Sequence, residues 1–190
     1  MPSTSLLNWR IVRLPNLAHI DAQCVACVAA APPNPALIDE NLRGYVLLLS
    51  AHFQGFCRDL YTESSQIIVS KVKRPALEIL FQAQFSAQRE LDHGNAHFGN
   101  IVKDFNRFGF AMKPALNALP GSNPLKLDLH NLNEWRNAAA HQNAVFPAGG
   151  PLSVPMIQGW RNSCGTLATA LDTIMYNQLR VRLRRDPWVP

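Results

Sequence analysis

Three side chains in this 190-residue sequence have the types and spacing for chemistry on a phosphate: Arg136, Asn137 and His141. They fall in the run Glu134-Trp135-Arg136-Asn137-Ala138-Ala139-Ala140-His141. A guanidinium grips two oxygens at once through its planar fork of donors. An imidazole moves a proton near neutral pH. Asn137 and His141 are four residues apart, so on a helix they share a face. Arg136 precedes His141 by five, roughly 140° around an ideal helix. A long Arg side chain swings across part of that gap, and a second copy of the helix, related by a two-fold axis, would close the rest. No acidic metal cage accompanies the run.

The helix that must position them is legible. Leu125, Leu129, Leu132, Trp135 and Ala139 form the stripe of an amphipathic helix. Ala138, Ala139 and Ala140 favour helix strongly and keep it thin, so a second backbone is expected to approach closely there. Asn143, Pro147, Gly149, Gly150 and Pro151 are expected to end it in a loop.

The rest of the chain is globular in composition, with 47% hydrophobic and 16% charged residues. Its length suits one domain with a sizeable core. A net charge of +5 permits an anionic partner without demanding one. Cys24, Cys27, Cys57 and Cys164 make no disulfide framework. Cys24 and Cys27 form a lone CxxC with no second pair or His pair for zinc, and read as helix residues packed as small hydrophobes. Arg10 and Arg13 before the small apolar run Cys24 to Ala31 imitate a signal peptide loosely, but His19, Asp21 and Gln23 interrupt it. No window approaches the roughly 20 apolar residues of a membrane span. The expected location is cytoplasmic.

Taken in order, a first helix is expected from an N-cap at Asn16, carrying Leu17, Ile20, Cys24 and Cys27 and ending at Pro32, Pro33 and Pro35. A long helix starts near Ala36 with Asp39 and Glu40 in its first turn. Its stripe is Ile38, Leu42, Tyr45, Leu49, Phe53, Phe56 and Leu60, widened by Leu47 and Leu48. Pro75 suits the first position of the next helix, which carries Leu77, Leu80, Gln84 and Gln88 on one face and stops around Asp92 to Asn95. A shorter helix spans about Phe98 to Phe108. One turn follows at Ala115 to Leu119 in a Pro- and Gly-rich stretch. The last helix begins at Ser153 or Pro155. It carries Ile157, Trp160, Cys164, Leu167, Leu171, Ile174 and Val181, and ends in Arg180, Arg182, Arg184 and Arg185. No strand alternation and no internal repeat is evident.

Other constellations carry less. His93 and His97 are spaced like a metalloprotease pair, but Gly94 stands where that motif has Glu, and Gly is a poor helix residue. His52 and His130 read as satisfied structural residues at helix edges. Ser163-Cys164-Gly165 lacks the nucleophile-elbow pattern, and no phosphate-binding glycine loop occurs. The arginines from Arg180 to Arg185 read either as a track for an RNA backbone or as a solvated helix end.

In this setting the box resembles the signature of the HEPN superfamily: an Arg, often followed by a polar residue, then a short spacer and a His. Here it reads Arg136-Asn137-Ala138-Ala139-Ala140-His141. The segment from Leu42 to Leu60 looks like the first core helix of the RiboL-PSP-HEPN branch, and Leu152 to Asp172 looks like its last. The resemblance runs over most of Asp39 to Leu183. One departure is plain. Relatives often carry an acidic residue where Gln54 stands.

The helical stripes and the lack of strand alternation point to an all-α bundle of about four or five main helices, and the wide apolar face around Leu47, Leu48 and Leu49 with the thin Ala138 to Ala140 surface points to a two-fold dimer. Residues 36–185 would form this domain, 1–35 an N-terminal segment whose short helix packs on it, and 186–190 a tail. The activity that the resemblance implies is a metal-independent endoribonuclease without a cofactor. His141 would act as general base or acid and Arg136 would hold the scissile phosphate. Asn137 would orient His141 or bond the phosphate. The products would be a 2′,3′-cyclic phosphate and a 5′-hydroxyl. Such proteins often act as toxins or in defence, which implies RNA as substrate and an antitoxin or other protein as partner. The alternative is a non-catalytic helical module that binds RNA or protein. In that case Arg136 is a surface cation and His141 caps the last carbonyls of its helix.

Overall fold

The longest element, α3 (Pro35–Val69), is the axis on which the other helices pack. A computed structural model describes residues 1–142, 147 and 150–188, and among these no strand occurs. The Asn34 side chain caps α3 by accepting from the Leu37 N–H at 3.2 Å. Because the helix starts at Pro35, Asp39 falls beyond the first turn, contrary to expectation, and pairs with Arg43 at 2.6 Å instead. Leu42, Tyr45, Leu49, Phe53, Phe56 and Leu60 are all buried, as their spacing requires. Val46, Cys57 and Tyr61 bury a second file, so α3 is covered on more than one side. Leu48 remains exposed.

The N-terminus departs from the sequence reading. The chain is helical from Thr4, through α1 (Thr4–Asn8), a π-helical turn (Trp9–Arg13) and α2 (Leu14–Ala29). Asn16 lies inside this run and is not a cap; Ser3 is, accepting from the Leu6 N–H at 3.0 Å. Pro15 has no N–H to give, yet it does not interrupt the run. In the π turn just before it, the Leu14 N–H reaches back five residues to the Trp9 carbonyl, which re-phases the ladder there. Two carboxylates from other helices hold the start. The Ser3 N–H donates to Asp172 at 3.1 Å, and the Thr4 and Ser5 N–H groups both donate to Glu63 at 2.9 Å. Negative charge suits a helix N-terminus. Burial pushes the Asp172 carboxyl above its usual pKa, against the opposing effect of the bonds from Ser3.

After α3 the chain turns back in α4 (Pro75–Ser86). This helix ends earlier than its pattern suggests. Ala87 is extended, Gln88 adopts a left-handed φ of 48°, and the carbonyls of both accept from Arg107. A separate turn, α5 (Glu90–His93), follows, its first N–H groups held by Asp104 at 2.9 Å each. Of α4's apolar residues only Phe85 is buried, against Tyr61 and Phe108; Leu77, Ile79, Leu80 and Phe81 are exposed.

The remainder comprises α6 (Phe98–Phe105) with a 3₁₀ turn (Asn106–Phe108), α7 (Met112–Asn117), α8 (Ser122–Ala140) and α9 (Val154–Leu183). The turn expected at Ala115 to Leu119 begins earlier, because Asn106 accepts from the Met112 N–H at 2.9 Å and Met112 is buried. On α9 the stripe runs through Leu171, Met175 and Leu179, and Val181 is exposed. Val181 is six residues beyond Met175, roughly 120° around an ideal helix, and so falls off the buried face. The result is all-α, with α2, α3, α8 and α9 as its long members. Helices α3 and α9 run the same way, since Tyr45 meets Arg161 and both helices hold the N-terminus further along, through Glu63 and Asp172.

Candidate active site

Helix α8 brings Arg136 and Asn137 to its C-terminal end, and His141 is its C-cap residue. Leu129, Leu132, Trp135, Ala138 and Ala139 are buried, which fixes the phase of the helix and leaves Arg136 and Asn137 half-buried and His141 exposed. The helix ends before Asn143. The His141 N–H closes on the Asn137 carbonyl at 3.1 Å, and Gln142 takes a left-handed φ of 52°. Asn143 and Gly149, expected as loop formers, lie outside the described residues. His141 has φ −99° and ψ 6°, the bridge region where many active-site residues sit. Its imidazole has no hydrogen-bond partner among the described residues.

Asn137 is held from outside the helix. Its Oδ1 accepts from Asn95 Nδ2 at 2.8 Å and from Arg136 Nη1 at 3.3 Å. With that oxygen occupied twice, the amide nitrogen of Asn137 is the end left to donate to a ligand oxygen. Asn95 is itself anchored, its carbonyl accepting from Asn100 Nδ2 at 2.9 Å. Arg43 lies over the Trp135 ring at 5.9 Å.

Sequence reasoning missed Asn95 and Asn100. Gly94 and Asn95 read only as a helix stop, and nothing local reveals that the segment crosses to α8. Gln54 explains how it gets there. Its Nε2 donates to the carbonyls of Leu91 at 2.7 Å and Gly94 at 2.9 Å, so α3 clamps the 91–94 backbone beside the box. A carboxylate has no proton for either bond. Gln54→Glu should therefore lower stability by about 1–3 kcal/mol, the cost of unsatisfied buried acceptors. It should also loosen Asn95 from Asn137. Denaturant melts at pH 7 beside the isosteric Gln54→Met, which lacks the charge, would check this; equal melts for Gln54→Glu and the parent would refute the clamp.

Two other expectations change. Ala138 and Ala139 are buried within their own chain, so only Ala140 offers the thin surface proposed for a second backbone. His52 is not satisfied: its Nδ1 is buried with no hydrogen-bond partner among the described residues, and burial, then the Arg13 cation, push its pKa down. His97 is structural, its Nδ1 accepting from the Gly99 N–H at 3.0 Å at the start of α6. Among the described residues no three His, Cys, Asp or Glu side chains are placed to share a metal ion. No described helix is long and apolar enough to cross a membrane.

A family model described as RiboL-PSP-HEPN matches residues 29–177, which include the box, α3, α8 and most of α9. The chain belongs to this family. HEPN domains are helical and are often ribonucleases, and they commonly bind RNA and dimerise. No curated protein and no solved structure is matched. The HEPN match begins at residue 29, so α1, the π turn and nearly all of α2 precede it.

Proposed function

We propose that the chain is a metal-independent endoribonuclease whose site is built on Arg136, Asn137 and His141. The observation that carries this reading is their joint placement at the end of α8, inside the family match, with Asn137 fixed by Asn95. Arg136 holds the scissile phosphate and stabilises the charge that grows on it. His141 takes the proton of the ribose 2′-hydroxyl or gives one to the leaving 5′-oxygen. Attack of that hydroxyl on phosphorus closes a 2′,3′-cyclic phosphate, and the departing strand keeps a 5′-hydroxyl. Two α8 ends meeting across a two-fold axis would supply a His to each phosphate gripped by an Arg. A role as a toxin or in defence, with an antitoxin partner, is part of this reading and draws on the family alone.

Gln54 supports a second reading. It occupies the place of an acid often found in relatives, and its amide is used to hold backbone. A box without that charge would suit a module that binds RNA and does not cut it. Incubation with a labelled single-stranded RNA separates the two. The ribonuclease reading expects cyclic-phosphate ends and undiminished cleavage in EDTA. Loss of cutting on chelation, restored by a divalent ion, would overturn the mechanism, and binding without any cleavage would leave the second reading.

A further inference from the structure

The positive charge of this protein is gathered at one end, far from the box. Arg184, at φ 53°, turns the chain after α9 and seats Pro187 and Trp188 beside Ser70 at the end of α3. The C-terminal ends of α3 and α9 therefore share one pole. Lys71, Lys73 and Arg74 follow α3, and Arg180, Arg182, Arg184 and Arg185 close α9. Arg182 reaches the Gly109 carbonyl at 3.1 Å, which brings in Lys113 four residues on, at the start of α7. Eight of the 18 Lys and Arg residues are here, against Glu63, Glu78 and Asp186 among the 13 acids, a local charge of +5. The other ten cations and ten acids cancel over the rest of the molecule.

The two sets also differ in what they touch. Each of the ten cations elsewhere makes a side-chain hydrogen bond or ion pair: Arg13 with Asp59, Arg89 with Asp92 and Arg161 with Asp21 are typical. At the pole, Arg180 pairs with Asp186, and Arg182 bonds Gln178 and Gly109. Lys71, Lys73, Arg74, Lys113, Arg184 and Arg185 have no such partner among the described residues. Like charges massed with few acids among them cost stability through self-repulsion. A groove of about 710 Å³ lies among them, lined by Asn177, Arg180, Arg184, Arg185 and Asp186.

We propose that this pole is a second RNA-docking site, which holds the phosphate backbone of a single strand roughly 20–40 Å from the box, since α3 reaches the box between Arg43 and Gln54 and runs on to Val69 at about 1.5 Å per residue. Arginine, the majority of these cations, matches phosphate oxygens in pairs. A flat anionic membrane fits less well. The exposed apolar side chains of α4 run back along α3, since Phe85 packs on Tyr61, and so lead away from the pole. A polynucleotide needs only the charged end. The choice of RNA rests on the ribonuclease reading of the box; the pole's affinity does not.

The test is a variant with Lys73→Gln, Arg74→Gln, Arg184→Gln and Arg185→Gln, whose side chains make no internal bond among the described residues. Anisotropy of a labelled oligouridine long enough to span the protein is expected to show at least roughly 10-fold weaker binding at about 0.1 M salt. The slope of log affinity against log salt should shrink by about 2–3, at 0.7 per lost phosphate contact. A dinucleotide substrate, too short to reach the pole, should be cut at the parental rate. An unchanged slope and affinity would overturn the proposal. So would loss of binding to phosphatidylserine vesicles with RNA binding retained, which would make the pole a membrane site. Failure of the box leaves a different trace, namely no cleavage by the parent protein, while the variant still loses RNA affinity.

Discussion

Replacing His141 with Ala is expected to slow RNA cleavage by about 10²–10⁴-fold, the usual worth of positioned proton transfer. RNA binding should be nearly unchanged, because the imidazole is a proton carrier in this mechanism and Arg136 is the phosphate grip. Stability should also stay within about 0.5 kcal/mol, since His141 is exposed and helix α8 is closed by its backbone N–H, which Ala retains. Arg136→Ala should differ in kind. It removes a contact made in both the ground state and the transition state, so affinity and rate fall together. It also takes one of two donors from Asn137 Oδ1, leaving Asn95 as the other. Mixing the two variants tests the shared site. If one phosphate needs an Arg and a His from different chains, heterodimers recover part of the activity. Parental rates for both single variants would end the ribonuclease reading of this box. Circular dichroism melts run in parallel would separate lost chemistry from lost fold.

Trp9→Ala should destabilise the fold by about 3–5 kcal/mol, as large-to-small changes in a packed core do. Trp9 is 1% exposed and packs its ring against Phe53 at 6.0 Å and Phe56 at 5.8 Å, both on α3. It lies before the first residue of the family match. The experiment therefore asks whether the N-terminal helices belong to the core or decorate it. The expected result is a single transition with a lower denaturant midpoint and a parental slope. A loss under about 1 kcal/mol would mean that α3 is stable without this segment, and that carboxylates Glu63 and Asp172 tether a detachable arm.

Much of this protein was settled by its sequence. The 3.6-residue stripe on α3, from Leu42 to Leu60, predicts burial because each of those side chains returns to the same side of a helix. The same period gives α8 its phase, and with it the outward placement of Arg136 and Asn137. The composition of the box is chemistry that no fold can add. Local signals failed where distant groups replaced local ones. Asn16 after Pro15 has the form of a helix start, yet the cap is Ser3, and the first N–H groups are satisfied by Glu63 and Asp172 from helices far along the chain. Helix α4 stops at Ser86 because Arg107 takes the carbonyls of Ala87 and Gln88. Asn95 meets Asn137 only because Gln54 clamps the turn before it, across 40 residues of sequence from Gly94. The charged pole is of the same kind. Its two arginine- and lysine-rich segments are more than 100 residues apart, and become one surface because α3 and α9 run in the same direction and end together. Periodicity reports which side of a helix faces inward. It carries no information about which hydrogen-bond donor, from elsewhere in the chain, will arrive at that helix's end, and that is decided only when the bundle closes.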